Sequence, residues 1–486
     1  MKKLLILTTF IAMQAWAQDD KTLVDQSVNK ETIKSHIYFL ASDELRGRDT
    51  GSPELKIAAS YLQSRFMEYG VGMLEGMDTY VQDVPMKRKS PPSRGTINIG
   101  EEAFQFLDDF VLMDGANLDL DAPIVFLEYG MDDYTKKDIE GKIVVTLCGD
   151  GKDQSPQAWF SLSGQKGNKF RDLGAVALIE LFNSPQIPWN ILKNFFTGDQ
   201  ILLDAEQGEK PLPRVWMNRA ADQLADLKKK KTEGSISISS AEEKPFISQN
   251  IIGVVEGTDE NLKNEYVVYS AHYDHVGIGT ADAKGDSIYN GARDNATGVV
   301  TVLSAAKNIA ANPTKRSSLF ILYTGEEKGL LGSNYFVENS PVSMEQIVYC
   351  FNSDNGGYND TSKATIIGLG RTTAQDLIVK ACEAFGLEAI DDPAPEQGLF
   401  DRSDNVHFAR KGVPAPTFSL GFTAFDAEIG KYYHQPGDEA QTLDYDYLEK
   451  FFKSYVYACR LIGNADQTPF WKEGDKYYEA GKALYK

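Results

Sequence analysis

Cysteine, histidine and positive charge are all scarce in this chain. Its 486 residues hold four cysteines, Cys148, Cys350, Cys382 and Cys459, too widely spaced for a small disulfide scaffold and lacking the C-x-x-C pair of a structural zinc knot. An oxidising compartment permits them to pair, but no pairing is dictated. Lys and Arg number 50 against 70 Asp and Glu, for a formal charge of -20. That balance disfavours binding along a phosphate backbone, which needs clustered cations, and no nucleic-acid partner is expected. The one basic run, Lys228 to Lys231, reads as cations at a helix C-terminus closed by Gly234. Other chemistries are absent as motifs: there is no H-E-x-x-H, no G-x-S-x-G elbow and no P-loop lysine motif. GLGRTT at 368–373 lacks the third glycine of a dinucleotide loop. No fixed-period repeat or low-complexity tract occurs.

What is present begins with MKKLLILTTFIAMQAWAQ. Two lysines, a short apolar stretch and the small-residue pattern Ala15-Trp16-Ala17 read as a signal peptide, residues 1–17, cleaved near Gln18. No Cys lies there for lipid attachment. Losing Lys2 and Lys3 takes the formal charge to -22, and no later apolar run is long enough to span a bilayer. An exported protein, periplasmic or secreted, is expected.

The chain is longer than one core usually serves, so more than one domain is expected. Helical spacing in ELKIAASYLQSRFMEYG, closed by Gly70, marks a helical region over residues 31–70. From Pro91-Pro92 the texture changes to short β-like runs, APIVFLEYG and GKIVVTLCGD, with LGAVALIELFN and NRAADQLADLKKKK read as helical between them. Near Lys244-Pro245 it changes again. The reading is an N-terminal part of the main domain (18–92), an inserted, smaller β-rich domain (93–245) and the remainder of the main domain (246–486). There EYVVYSAHYD, SSLFILYTGEE, QIVYCFNSD, ATIIGLG and VPAPTFSLGF alternate with helices such as NATGVVTVLSAAKNIAAN. Such runs predict an α/β domain, three layers with a mostly parallel central sheet, whose ligands gather at the carboxyl ends of strands.

Three runs end in His, Asp or Glu, and only five histidines exist: His36, His272, His275, His407 and His434. In Ala271-His272-Tyr273-Asp274-His275, strand alternation puts His272 and Asp274 on one face and His275 on the other. Asp274 could then orient a ligating His272 through its carboxylate. Asp294, in GARDNATG, leads into a helix and could equally be near a helix cap. Glu326 and Glu327 sit side by side in YTGEEKGLLGS, Asp354 in CFNSDNGG and His434 in YYHQPGD. Each has an ordinary loop or cap explanation when taken alone. Together, two histidines and three carboxylates are the ligand types that a pair of zinc ions prefers, with Asp294 the natural bridge. One glutamate of the pair would bind metal while the other stays free to take a proton from water.

In order along the chain, SAHYDHVG, NGARDNATGVV, YTGEEKGLLGS, CFNSDNGG, RSDNVHFARKGVP and YYHQPGD resemble the signature blocks of the di-zinc aminopeptidase family. Glutamate carboxypeptidase, the transferrin receptor ectodomain and glutaminyl cyclase are relatives in it. ASDELRGRDTGSPELKIAASYL is similar to that family's N-terminal segment, and DIEGKIVVTLCGDG to a protease-associated domain. The resemblance implies a zinc-exopeptidase fold and a peptidase acting on peptides with a free N-terminus. It implies two zinc ions, one held by His272 and Asp354, the other by Glu327 and His434, with Asp294 bridging. Glu326 then matches the general base, Asp274 the partner of His272, and Tyr433 the oxyanion donor, a place for which Tyr432 competes. Asn405 departs from the family's usual His at a position that binds no metal. The same fold also serves carboxypeptidases, for which Arg402 or Arg371 would have to bind a substrate carboxylate, one-zinc cyclases and non-catalytic ectodomains. Ligand types alone leave zinc, cobalt and manganese open.

Overall fold

The computed structural model describes residues 19–486 apart from 116, 154–155, 184–187, 205–210, 225–226, 228–231 and 240–241. The leader and the Lys228 to Lys231 run lie outside the described residues. Two compact units emerge, one of residues up to Val84 with Ile247–Lys486, the other Pro85–Phe246.

The first unit is an α/β/α sandwich. Its strands are β1 (Glu243–Val255), β2 (Tyr266–His272), β3 (Ser317–Tyr323), β4 (Ile347–Ser353), β5 (Lys363–Ile367), β6 (Glu388–Ile390) and β7 (Thr417–Leu420), ordered β6-β5-β7-β4-β2-β3-β1. The centre β7-β4-β2-β3 is parallel, whereas β1 and β5 pair antiparallel to their inner neighbours. β2, β3 and β4 are buried along almost their whole length, which is why they read as continuous apolar runs rather than alternating ones. Successive residues still face opposite layers. Val267 and Tyr269 join the core under helices α1 (Pro53–Tyr69), α2 (Gly298–Ala311) and α5 (Tyr445–Asn464), while Val268 packs with Phe336 of α3 (Leu331–Glu338) and Phe408 of α4 (Asn405–Lys411).

Local sequence explains the helix ends. Ser52 accepts the Leu55 N–H at the start of α1, Pro53 occupies its first turn, and Gly70 closes it at φ 76°. The helical region expected over 31–70 is broken, however. Lys30–Leu40 and α1 are separate helices, because Gly47 and Gly51, together with left-handed Arg46 and Arg48, turn the chain between them. That turn delivers Arg48 and Thr50 to the interior.

The second unit holds an eight-stranded mixed sheet. LGAVALIELFN, read as helical, forms the fully buried strand Ala177–Leu181 instead. A short, largely apolar run does not distinguish a buried strand from a buried helix. NRAADQLADLKKKK contributes a 3-10 turn at Ala221–Gln223 among its described residues. All four cysteines are free and buried.

Gly298 opens α2 beside the end of β4. A Cβ there would lie 2.3 Å from Asn295 Oδ1 and 2.4 Å from the Ser353 carbonyl oxygen. Gly298→Ala should therefore cost ~1–3 kcal/mol by overpacking. A urea titration should show an earlier midpoint, and an unchanged midpoint would refute the tight junction.

Candidate metal centre

The parallel register builds the site. Ser270 of β2 lies opposite Asn352 of β4, and His272 opposite Tyr323 of β3. The strands thus end level, and residues at or just past those ends, His272, Glu326 with Glu327, and Asp354, reach a common space. Two turns complete it. The segment Ala292–Thr297 ahead of α2 supplies Asp294, and the turn after Ile429 supplies His434.

Asp294 presents one oxygen to each histidine. Its Oδ1 lies 3.3 Å from His272 Nε2 and its Oδ2 3.1 Å from His434 Nε2. His272 Nε2 is also 3.3 Å from Asp354 Oδ1, and His434 Nε2 is 3.2 Å from Glu327 Oε2. Donors ~2.0–2.1 Å from a tetrahedral zinc stand ~3.3 Å from one another. These four separations therefore fit two cation sites sharing Asp294. Glu326 Oε2, at 3.9 Å from His272 Nε2, is outside that spacing. The donor set, imidazole and carboxylate without thiolate, suits zinc.

All five expected ligands thus converge, with Glu326 beside them. Tyr433 lines the cavity and stacks on His434 at 4.1 Å between centroids. Tyr432 is drawn away, with the Arg293 guanidinium 3.6 Å from its ring centroid. His36 and His407 lie elsewhere, His36 between the hydroxyls of Tyr61 and Tyr69 at 2.6 and 2.9 Å.

Two expectations need correction. Asp274 meets His272 through its backbone: His272 Nδ1 is 3.1 Å from the Asp274 carbonyl oxygen, against 3.9 Å to carboxylate Oδ1. The Asp274 carboxylate instead accepts from the Thr50 hydroxyl at 2.7 Å and from the Glu326 N–H at 3.2 Å. It therefore fixes the strand end that bears Glu326. His275, expected on the opposite face, reaches the site, with its Nδ1 2.7 Å from Glu327 Oε1. The ladder of β2 stops at His272, so alternation no longer governs residue 275.

Sequence reading also passed over the supports. Asp438 accepts from the backbone N–H of Arg293 at 2.9 Å and of Asp294 at 3.2 Å, and from the Arg293 guanidinium at 2.9 Å. It thereby ties the Asp294 turn to the chain four residues past His434. Ser403 donates to Asp354 Oδ2 at 2.5 Å. Only Asp438, inside YYHQPGD, stood near a quoted ligand.

Electrostatics follow from this crowding. Burial pushes Asp294 upward, but hydrogen bonds from His272 and His434 hold its carboxyl far below the usual range. Burial likewise opposes ionisation of Glu327, yet despite the neighbouring Asp294 charge, His275 and His434 bring it down to about 2. Burial disfavours the His272 imidazolium, but Glu326, Asp354 and Asp294 raise its pKa well above the ordinary value. For His434, Asp294 and Glu327 outweigh burial and raise it to about 10. Burial with little compensating charge does the reverse to His36 and His407, each lowered to about 4. Glu326 is raised well above a normal carboxyl, first by burial and, against His272, by Asp354 and Glu327.

The fold is an α/β sandwich with histidines and carboxylates gathered at the carboxyl ends of its parallel strands and on two adjoining turns. Residues 250–458, which carry every one of the expected site residues, match the model of Peptidase family M28. Similar curated proteins include Aminopeptidase YwaD of Bacillus subtilis (strain 168), 29% identical over 210 residues, 42% of this chain and 42% of that protein. A probable leucine aminopeptidase of Arthroderma benhamiae is 31% identical over 232 residues, 46% of this chain and 58% of that protein. The matched segments span about half the length of these relatives. Among solved structures, the aminopeptidase from Aneurinibacillus sp. strain AM-1 shares the fold, with a TM-score of 0.57 at 21% identity over 92% of this chain and 97% of that one.

The carboxylates around His272 and His434 raise the proton affinity of both imidazoles, so a cation must compete with protons to reach Nε2. Both pKa values are raised, so zinc affinity should climb as pH rises from 6 toward 9, on the order of tenfold per pH unit for each proton displaced. Competition against a chelator at several pH values measures this. A flat profile would mean that the imidazoles are not ligands.

Proposed function

We propose that this chain is an exported metallo-aminopeptidase, using two zinc ions held by His272, Asp294, Glu327, Asp354 and His434. The observation that carries this reading is Glu326, a carboxylate inside the cavity but off ligand spacing, next to two donor sets that share Asp294. The names of the similar curated proteins support it.

Bound zinc would supply Lewis acidity to the scissile carbonyl and to the attacking water. The chain's own groups do the rest. Glu326, held from behind by the hydrogen bond between its N–H and Asp274, accepts the proton of the attacking water on a carboxylate oxygen and passes it to the leaving amine. Its raised proton affinity suits that exchange. The Tyr433 hydroxyl, kept protonated by burial and by the neighbouring carboxylates, donates to the developing oxyanion. The acidic floor neutralises a substrate's free α-ammonium. Ile367, Leu399, Phe422, Phe425 and Ile429 line the same cavity and favour an apolar N-terminal side chain.

Arg402 also lines this cavity, which supports a second reading, release of C-terminal residues through a bound carboxylate. Blocked peptides separate the two. An aminopeptidase cleaves a C-terminally amidated peptide and spares an N-acetylated one; a carboxypeptidase does the opposite.

Glu326→Gln should lower kcat by roughly 10²–10⁴-fold, the span of a general acid–base contribution, while zinc content stays the same. Full activity in that variant would remove Glu326 from the mechanism. Leu and Phe anilides should outpace Asp and Glu anilides in kcat/KM. No helix among the described residues is long and apolar enough to cross a membrane. Mass spectrometry of protein recovered from outside the cytoplasm should find a mature N-terminus near Gln18.

A further inference from the structure

Glu327 offers its two oxygens to two different imidazoles. Oε2 lies 3.2 Å from His434 Nε2, the spacing of two ligands to one cation, whereas Oε1 lies 2.7 Å from His275 Nδ1, a hydrogen bond. A carboxylate only accepts, so Nδ1 of His275 carries the proton. The His275 ring is fully buried, and its Nε2 has no hydrogen-bond partner among the described residues. The ring's seat is built around it. Gly291 has φ 58°, and a Cβ there would fall 2.6 Å from His275 Cδ2. The His275 N–H donates to the Arg48 carbonyl at 3.1 Å, and the Arg48 guanidinium clamps the chain on both sides through the carbonyls of Tyr273 at 2.9 Å and Gly291 at 3.0 Å. The His434 ring meets it edge to face at 5.5 Å.

A carboxylate's last torsion is soft, so an unpinned Glu327 could turn to offer either oxygen or both. Pinning Oε1 removes that freedom. Asp354 on the other side has its second oxygen held by Ser403, independently of His275. We propose that His275 is a positioning residue for the cation on the His434 side: by holding Oε1 of Glu327 it dedicates Oε2 to that cation, and so tunes one of the two sites without touching the other. This rests on the two-cation reading above.

The full chain, stripped of metal, is titrated with zinc against a chromogenic chelator, and its thermal midpoint is recorded. Wild type should take two equivalents. His275→Leu should keep one at wild-type affinity and weaken the other ~10–100-fold, the usual loss when a ligand's partner is removed. His275→Asn, whose amide nitrogen falls near the place of Nδ1, should recover much of that loss. His275→Gln, whose amide reaches the place of Nε2, should not. If the Leu variant fails to fold, the Asn and Gln pair decides. Two equivalents at wild-type affinity in both Leu and Gln variants would overturn the proposal, as would equal weakening of both sites with a matching fall in thermal midpoint. A wild-type chain that takes fewer than two equivalents overturns the two-cation reading itself, and shows it before any substitution is made.

Discussion

Asp294 is the carboxylate on which the rest of this site depends. Its two oxygens face two histidines from opposite sides, and every other ligand is placed relative to that division. A buried carboxylate pays a heavy desolvation cost unless opposite charge or hydrogen bonds meet it. Here four acidic groups, Asp294, Glu326, Glu327 and Asp354, share one cavity. The raised proton affinity of His272 and His434 favours their cationic forms, which offset part of that charge. Two divalent cations at the proposed sites would offset far more, and would make adjacent glutamates tolerable at the end of one strand.

Holding such a cluster requires a frame that does not yield to repulsion. The level ends of β2, β3 and β4 provide three of the anchor points through a continuous hydrogen-bonded ladder. The turns are fastened separately. Asp438 accepts from three donors around Asp294, and Arg48 binds the carbonyls that flank the His275 ring. Asp438 and Arg293 form a buried ion pair, so losing one partner would strand the other in a low-dielectric interior.

One set of residues also separates two tasks. Asp354 and Glu327 each have one oxygen held, Asp354 by Ser403 and Glu327 by His275, which leaves the other for a cation in the proposed reading. Glu326 has its backbone tied to Asp274 and its carboxylate off ligand spacing. Adjacent glutamates thus differ in proton affinity because their surroundings differ, with Glu326 displaced upward and Glu327 downward.

The five side chains that converge, Glu326 beside them and the α/β layering were legible in the chain. Apolar runs ending in His, Asp or Glu mark parallel strand ends, and that signal is local. Where the local signal was ambiguous the reading failed, as in LGAVALIELFN, whose five buried positions suit helix or strand alike. Alternation predicted the face of His275 only as far as the ladder of β2 runs, and the ladder ends three residues earlier. Tertiary packing alone decided that His275 grips Glu327, that Asp274 turns its carboxylate toward Thr50, and that Asp438 fastens a turn 145 residues away. Residue types follow from what a cation requires, but their exact partners depend on how distant turns are pressed together, and no spacing along the chain encodes that.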